Sequence, residues 1–383
     1  MVAYITFSSE VNMNKPYKLT KNGGKTICVI GGGNVGTQIA GVCALHGHKV
    51  KLYTSTPELF DGTIQIVGDT TEQSGYASNI FVTNDIEQAV FGCEYVFVTY
   101  PALMFQTLAE SLYPVIDSEA IIGFFPGTGG VEFFFKPFIE KGVTLFGLQR
   151  VPSVARLIER GKSVRVSGLR DRLYLGSIPT QKSNEISSFL SLLFGIPCES
   201  LPNYLSVTLT PSNSILHTSR LYSLFNDYYP SKKYDQNFLF YENWSQEASE
   251  LLLQCDEELQ KICKELKEMD LRGVKSLKIH YESETVNQLT SKIRSIRSLH
   301  ELKSPMLKDE FGWTPDFSSR YFSTDFPLGL GLIEEFAQLL VVNTPTIHTI
   351  MDWYRNITKD VKKVDLQSFD IHTINDIYNF YHQ

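Results

Sequence analysis

Three stretches of this chain combine residue types and spacings that could do chemistry. In Pro211-Ser-Asn213-Ser-Ile-Leu-His217, a proline suited to a helix start precedes a carboxamide and an imidazole four residues apart, so both fall on one helical face. Imidazole gives and takes protons near neutral pH, which makes His217 a candidate acid–base group. In Arg320-Tyr-Phe-Ser-Thr-Asp325-Phe-Pro327-Leu-Gly329, a guanidinium that can grip a carboxylate lies five residues before an acid. On residue types alone the plainer reading of this second stretch is favoured: Thr324 or Asp325 caps a following helix and Arg320 makes a surface pair. One histidine among eight is weak support for catalysis by itself.

The third stretch is Gly31-Gly-Gly33-Asn34-Val35-Gly36. It follows the β-branched run Lys25–Ile30 and opens the helical pattern Thr37–His46, and that context turns a common glycine pattern into a dinucleotide-binding signature. Gly31 permits the tight turn, Gly33 lets the backbone approach a pyrophosphate, and Gly36 lets helix and strand pack closely. The helix N-terminus, with the N–H groups of Asn34 and Val35, offers partial positive charge to phosphate. The next strand, Lys49–Tyr53, ends in Thr54-Ser55-Thr56 with no carboxylate before Glu58. An acid there would read the ribose 2′-hydroxyl of NAD. Thr54 and Ser55 suit either a hydroxyl or a 2′-phosphate, so NADP is slightly preferred over NAD. Tyr100-Pro101-Ala102 and Pro126–Gly130 end further strands on the ligand-binding edge, and Pro101 is expected at the ribose or nicotinamide.

The elements that must carry these groups fall into two textures. Strands alternate with helices up to about residue 205, as in a doubly wound parallel sheet. Beyond it, Trp244–Leu271, Leu328–Val342 and Pro345–Tyr354 read as helices with few strand signals. The expected organisation is a polar leader over 1–24, an α/β Rossmann domain over 25–205 and a mostly α-helical C-terminal domain over 206–383. Hydrophobic residues form 43% of the chain and charged residues 20%, which excludes a disordered chain. A net charge of −7 argues against nucleic acid as partner, and no apolar run of membrane-spanning length occurs. Six scattered cysteines without a C-x-x-C pair read as reduced thiols of a cytoplasmic protein, with no metal site expected.

With these motifs the chain resembles the opine dehydrogenase family (octopine/nopaline dehydrogenases). The glycine turn matches Gly31–Gly36. The family's N-x-x-x-H segment matches Asn213 to His217, and its R-Y-x-x-x-D-x-P-x-G segment matches Arg320, Tyr321, Asp325, Pro327 and Gly329. Ser291–Met306 and Thr344-Pro345-Thr346 are similar too, and the likeness spans roughly residues 25–355. It implies NAD(P)H-dependent reductive condensation of a 2-oxo acid with the amino group of an amino acid. In that scheme His217 and Asp325 form the catalytic dyad, and Arg320 binds the carboxylate of the 2-oxo acid. Asn213 and Arg150 join it in binding substrate. The expected partners are these small molecules and a second copy of the chain in a homodimer.

Two departures stand out. Thr218 follows the histidine where proline is common. Leu148-Gln149-Arg150-Val151-Pro152 lacks the family's acidic residue before the amino-acid pocket, which speaks against a basic amino acid and makes Arg150 suited to an acidic amine; the plainer reading is a solvated arginine. Two other activities fit the same chain. A ketopantoate-type reductase would act on a 2-oxo acid without an amine and needs a catalytic lysine, for which Lys275 and Lys278 are available. A non-catalytic dinucleotide-binding sensor would retain the fold without catalysis.

Overall fold

The structure is a computed structural model that describes residues 24–359 and 364–382. The proposed leader, apart from Gly24, lies outside the described residues. The first half is built on an eight-stranded sheet. Its strands are β1 (Thr26–Ile30), β2 (Lys49–Tyr53), β5 (Phe81–Thr83), β6 (Tyr95–Val98), β7 (Ile121–Phe124), β8 (Thr144–Leu148), β11 (Leu173–Ile178) and β12 (Cys198–Ser200). Their order across the sheet is β12-β11-β8-β7-β6-β1-β2-β5. From β8 to β5 every pair is parallel. Of these, β1, β6, β7 and β8 are buried on both faces, which is why they read as largely apolar runs. β11 runs antiparallel to β8, so the parallel sheet carries a reversed edge. In register with Phe146 of β8 stands Gly123 of β7. A Cβ on Gly123 would fall 2.0 Å from the Phe146 ring, so the glycine makes room for that side chain.

A second sheet, β4-β3-β10-β9, was not expected from the sequence. It contains β3 (Ile64–Val67), β4 (Gly75–Ala77), β9 (Val154–Glu159) and β10 (Ser163–Ser167). It covers the helix Asn34–Leu45. Gly41 of that helix lets it approach, because a Cβ there would lie 2.9 Å from Ile66.

The last strand of the large sheet ends at Ser200, and the second half is helical apart from a hairpin, β13 (Met306–Asp309) and β14 (Gly312–Pro315). Its principal helices are Asn213–Phe225, Gln246–Glu265, Val286–Arg294, Gly331–Leu339 and Pro345–Thr358. The stretch read as one helix over 328–342 is divided, with a wide π-turn over Asp325–Leu330 leading into Gly331–Leu339. Buried Glu258 caps the Pro345–Thr358 helix from a neighbouring helix, accepting from the N–H groups of Thr346 (2.8 Å) and Ile347 (3.0 Å). Among the described residues no helix is long and apolar enough to cross a membrane.

The terminal helix, Ile374–Tyr381, returns to the first half. Tyr381 donates to Glu132 at 2.6 Å, and Thr208, at the start of the helical half, donates to the same oxygen. Glu132 is 0% exposed, and burial pushes its carboxyl up to about 7. An acid whose folded value exceeds its unfolded one stabilises most below the unfolded value, and that stability is lost as pH rises through the folded one. The loss between pH ~4.5 and ~7 should be on the order of 3 kcal/mol. Glu132→Gln should therefore flatten the fall in melting temperature from pH 5 to 8 and be the more stable protein at pH 8. The same fall in the variant would assign it to another group.

Candidate active site

The β1 turn places its glycines where each has a distinct steric role. Gly31 has φ +120° and lies against Thr99, whose hydroxyl a Cβ would meet at 2.5 Å. A Cβ on Gly36 would lie 1.7 Å from the Gly31 carbonyl oxygen, whereas one on Gly33 would meet no protein atom within 4 Å. The space above Gly33 is thus open at the N-terminus of a helix that has no side-chain cap. Those are the requirements for a pyrophosphate, and the turn fits a dinucleotide. The Asn34 carboxamide accepts from Leu157 N–H of β9 at 2.8 Å, which ties the turn to the small sheet and leaves its backbone N–H for phosphate. Val35 is half-buried behind it.

At the end of β2, Thr54 is 3% exposed and turned inward, its hydroxyl accepting from Thr56 N–H at 3.4 Å, while Ser55 is exposed. A residue that the linear sequence did not suggest arrives here: Arg160, at the tip between β9 and β10, donates to the Thr56 hydroxyl at 3.3 Å. Its neighbour Gly161 presses on the loop, since a Cβ there would lie 1.9 Å from the Leu59 carbonyl oxygen. Pro101 is exposed just past β6, on the carboxyl edge of the sheet.

Across that edge stands the helix Asn213–Phe225. Asn213 is exposed at its first turn, and His217, one turn on, is 3% exposed. The two Asp325-bearing and His217-bearing segments meet closely because of a glycine: a Cβ on Gly329 would lie 2.7 Å from Ser214 Cβ. This brings His217 Nδ1 to 2.8 Å from Asp325 Oδ2. The other ring nitrogen, Nε2, lies 3.0 Å from the hydroxyl of Tyr241. A carboxylate accepts, so Nδ1 carries the hydrogen and Nε2 accepts from the tyrosine. Asp325 therefore holds the imidazole rather than serving only as a helix cap.

Tyr241 was not singled out in the sequence. Burial holds its hydroxyl well above the usual tyrosine range, so it stays protonated and donates. Arg220, one turn beyond His217 and itself buried, fixes the Tyr241 loop by donating to the carbonyls of Phe240 (3.0 Å) and Asn243 (2.7 Å). Tyr321 packs its ring 4.5 Å from the His217 ring. Arg320 is exposed and has no ion-pair partner among the described residues. Arg156, on β9, is also exposed, and its charge acts on Tyr241 and Tyr321 from the nucleotide half. Arg150 lies elsewhere on the sheet edge, half-buried, donating to Pro211 O at 2.8 Å. It is not a solvated surface arginine.

A nucleotide-binding α/β half whose strand edge faces an imidazole–carboxylate pair on a helical half defines a dinucleotide-dependent oxidoreductase. Comparison with known proteins narrows the class. Residues 200–358 match the model of the NAD/NADP octopine/nopaline dehydrogenase alpha-helical domain, and residues 26–130 match that of the NAD-dependent glycerol-3-phosphate dehydrogenase N-terminus. The chain is 25% identical over 363 residues to tauropine dehydrogenase of Arabella iricolor, covering 87% of this chain and 90% of that one. It is 24% identical over 354 residues to octopine dehydrogenase of Pecten maximus, covering 85% and 88%. A solved octopine dehydrogenase with NADH and L-arginine superposes with a TM-score of 0.78 at 22% identity, covering 92% of this chain and 97% of that one. Residues 200–358 thus carry the octopine/nopaline dehydrogenase alpha-helical domain, and along most of its length the chain is similar to opine dehydrogenases.

Proposed function

We propose that this protein is an NAD(P)H-dependent opine-type dehydrogenase that joins the carbonyl carbon of a 2-oxo acid to the amino group of an amino acid. The observation that carries the reading is the 2.8 Å approach of His217 to Asp325 across 108 residues of sequence, beside the ligand edge of the sheet. The net reaction consumes the 2-oxo acid, the amine, one hydride and one proton, and yields a secondary amine and water. The Gly31–Gly36 turn would hold the pyrophosphate of a nicotinamide dinucleotide and Pro101 would lie beside its ribose or ring; when bound, that group supplies the hydride. His217 gives the proton that lets the carbinol oxygen leave as water and takes one from the attacking nitrogen. Such transfer contributes roughly 10²–10⁴-fold. Asp325 keeps the imidazole in one tautomer and orientation. Tyr241 occupies Nε2 in the state described, so substrate either displaces its hydroxyl or exchanges protons through it. Arg320 grips the 2-oxo acid carboxylate, Arg156 adds charge from the opposite wall, and Asn213 donates to the amino acid.

The nucleotide preference we assign is NADPH over NADH. Thr54-Ser55-Thr56 presents no carboxylate, and Arg160 stands beside Thr56 where a 2′-phosphate would need a cation. Six free thiols suit the reducing cytoplasm, where we place the protein.

The test is a nicotinamide-absorbance assay with pyruvate and a panel of amino acids. Oxidation that requires both pyruvate and amine, at least about tenfold more efficient with NADPH, is expected; one order of magnitude corresponds to about 1.4 kcal/mol of selective binding. Oxidation without any amine would instead identify a 2-oxo acid reductase. Tight nucleotide binding with no turnover across the panel would identify a sensor.

A further inference from the structure

Beyond β8 the sheet edge holds a cavity, about 100 Å³ in volume, whose lining is cationic. Arg150 comes from the end of β8, Arg170 and Arg172 from the approach to β11, and Lys275 and His280 from the helical half. Neither Asp nor Glu lines it. Arg172 is neutralised outward by Glu199, and Lys275 leans on Tyr174, 3.3 Å from its hydroxyl. Arg150 and Arg170 are different. Each donates to a single backbone carbonyl, Pro211 O at 2.8 Å and Val151 O at 2.9 Å, and neither has an acidic partner among the described residues. Both are half-buried, and two adjacent guanidiniums partly withdrawn from water without a counter-charge favour an anion beside them. Burial lowers the pKa of both, and the His280 imidazole is depressed by burial and by Arg150, Arg170, Lys275 and Lys292 around it.

The cavity adjoins the segment that leads to the acid–base pair, since Thr210 lines it. Arg150 holds the carbonyl of Pro211, two residues before the helix that carries Asn213 and His217. Two non-helical residues and then one helical turn separate Pro211 from His217, on the order of 12 Å along the chain. Buried Tyr281 feels the charge of both arginines and in turn acts on Tyr241, the partner of His217 Nε2. An amine with its nitrogen at His217 and an anion at its far end would bridge the acid–base pair and the cavity. The room available holds several water-sized groups, enough for a carboxylate or sulfonate.

We propose that the Arg150–Arg170 cavity binds a carboxylate or sulfonate at the end of the amine substrate remote from its nitrogen, making this enzyme selective for acidic amines. This rests on the opine-type reading above and specifies its substrate class.

The test has two arms. In the first, kcat/KM with pyruvate is measured for glutamate, taurine, alanine and arginine in the wild type and in Arg150→Gln and Arg170→Gln. The wild type should favour glutamate or taurine over arginine by at least about tenfold. Each variant should raise KM for the acidic amines by about 10- to 100-fold, well beyond its effect on alanine, the range expected for losing a charge-assisted hydrogen bond. Preference for arginine, or equal effects on acidic and neutral amines, would overturn the proposal while leaving the opine reading intact. In the second arm, glutarate, which has no amine and cannot turn over, is titrated calorimetrically against nucleotide-bound protein. Affinity that falls tenfold or more in Arg170→Gln supports the site even if no amine in the panel reacts, the result that would sink the opine reading alone. Unchanged affinity, or full competition by inorganic sulfate at equal concentration, overturns the proposal. Should loss of the Pro211 contact unfold Arg150→Gln, Lys275→Gln takes its place.

Discussion

His217→Ala should lower kcat by roughly 10²–10⁴-fold while leaving nucleotide affinity within about twofold of wild type. The imidazole is buried between Asp325 and Tyr241 and touches no part of the glycine turn, so its removal deletes proton transfer and spares the nucleotide. The cavity left behind is lined by Phe240, Tyr241 and Tyr321 and should reduce stability by about 2 kcal/mol. Stopped turnover with intact fluorescence-monitored nucleotide binding is the expected pair of results. Loss of both together would mean that His217 holds the halves in register rather than moving protons. Asp325→Asn gives a finer check: it should impair kcat with little change in melting temperature, because the carboxamide can still meet Nδ1 but also tolerates the wrong tautomer.

The second large effect separates two glycines only three residues apart. Gly36→Ala puts a methyl 1.7 Å from a backbone carbonyl, where nothing can yield except the turn itself. It should cost at least ~3 kcal/mol and abolish both folding of the first unit and nucleotide binding. Gly33→Ala meets open space, so the melting temperature of the nucleotide-free protein should barely change. Its methyl instead occupies the approach of the pyrophosphate, and nucleotide affinity should fall by about 100-fold or more. Calorimetric titration and thermal melting of the two variants side by side decide the matter. A Gly33→Ala protein that binds NADPH normally would dismiss the pyrophosphate position.

What could be read from the amino-acid order follows from how local each signal is. The unit β1, turn, helix and β2 was legible because its glycines and apolar runs act over a few residues. The small sheet was not, because its strands are three to six residues long and β3 pairs in parallel with β10 across about a hundred residues. The reversal of β11 was equally hidden, since strand direction leaves no mark on an apolar run. At the site, Asn213 and His217 follow from helical spacing. Their association with Asp325 came only through family likeness, because on residue type alone an acid before a helix is a cap. Tyr241 is one of 19 tyrosines with no distinguishing neighbour, and Arg156 and Arg160 lie on a hairpin of the unforeseen sheet. Only the fold brings these three to the ligand edge.

The Glu132 carboxyl takes hydrogen bonds from Thr208, where the chain enters the helical half, and from Tyr381, where the last helix comes back. Both crossings are pinned at one point on the floor of the first half. Around this carboxyl the two halves share one apolar core, with Phe133 packed on Phe336 and Phe380. Parting the halves would therefore bare these rings to water and strip both hydrogen bonds from the buried carboxyl at once.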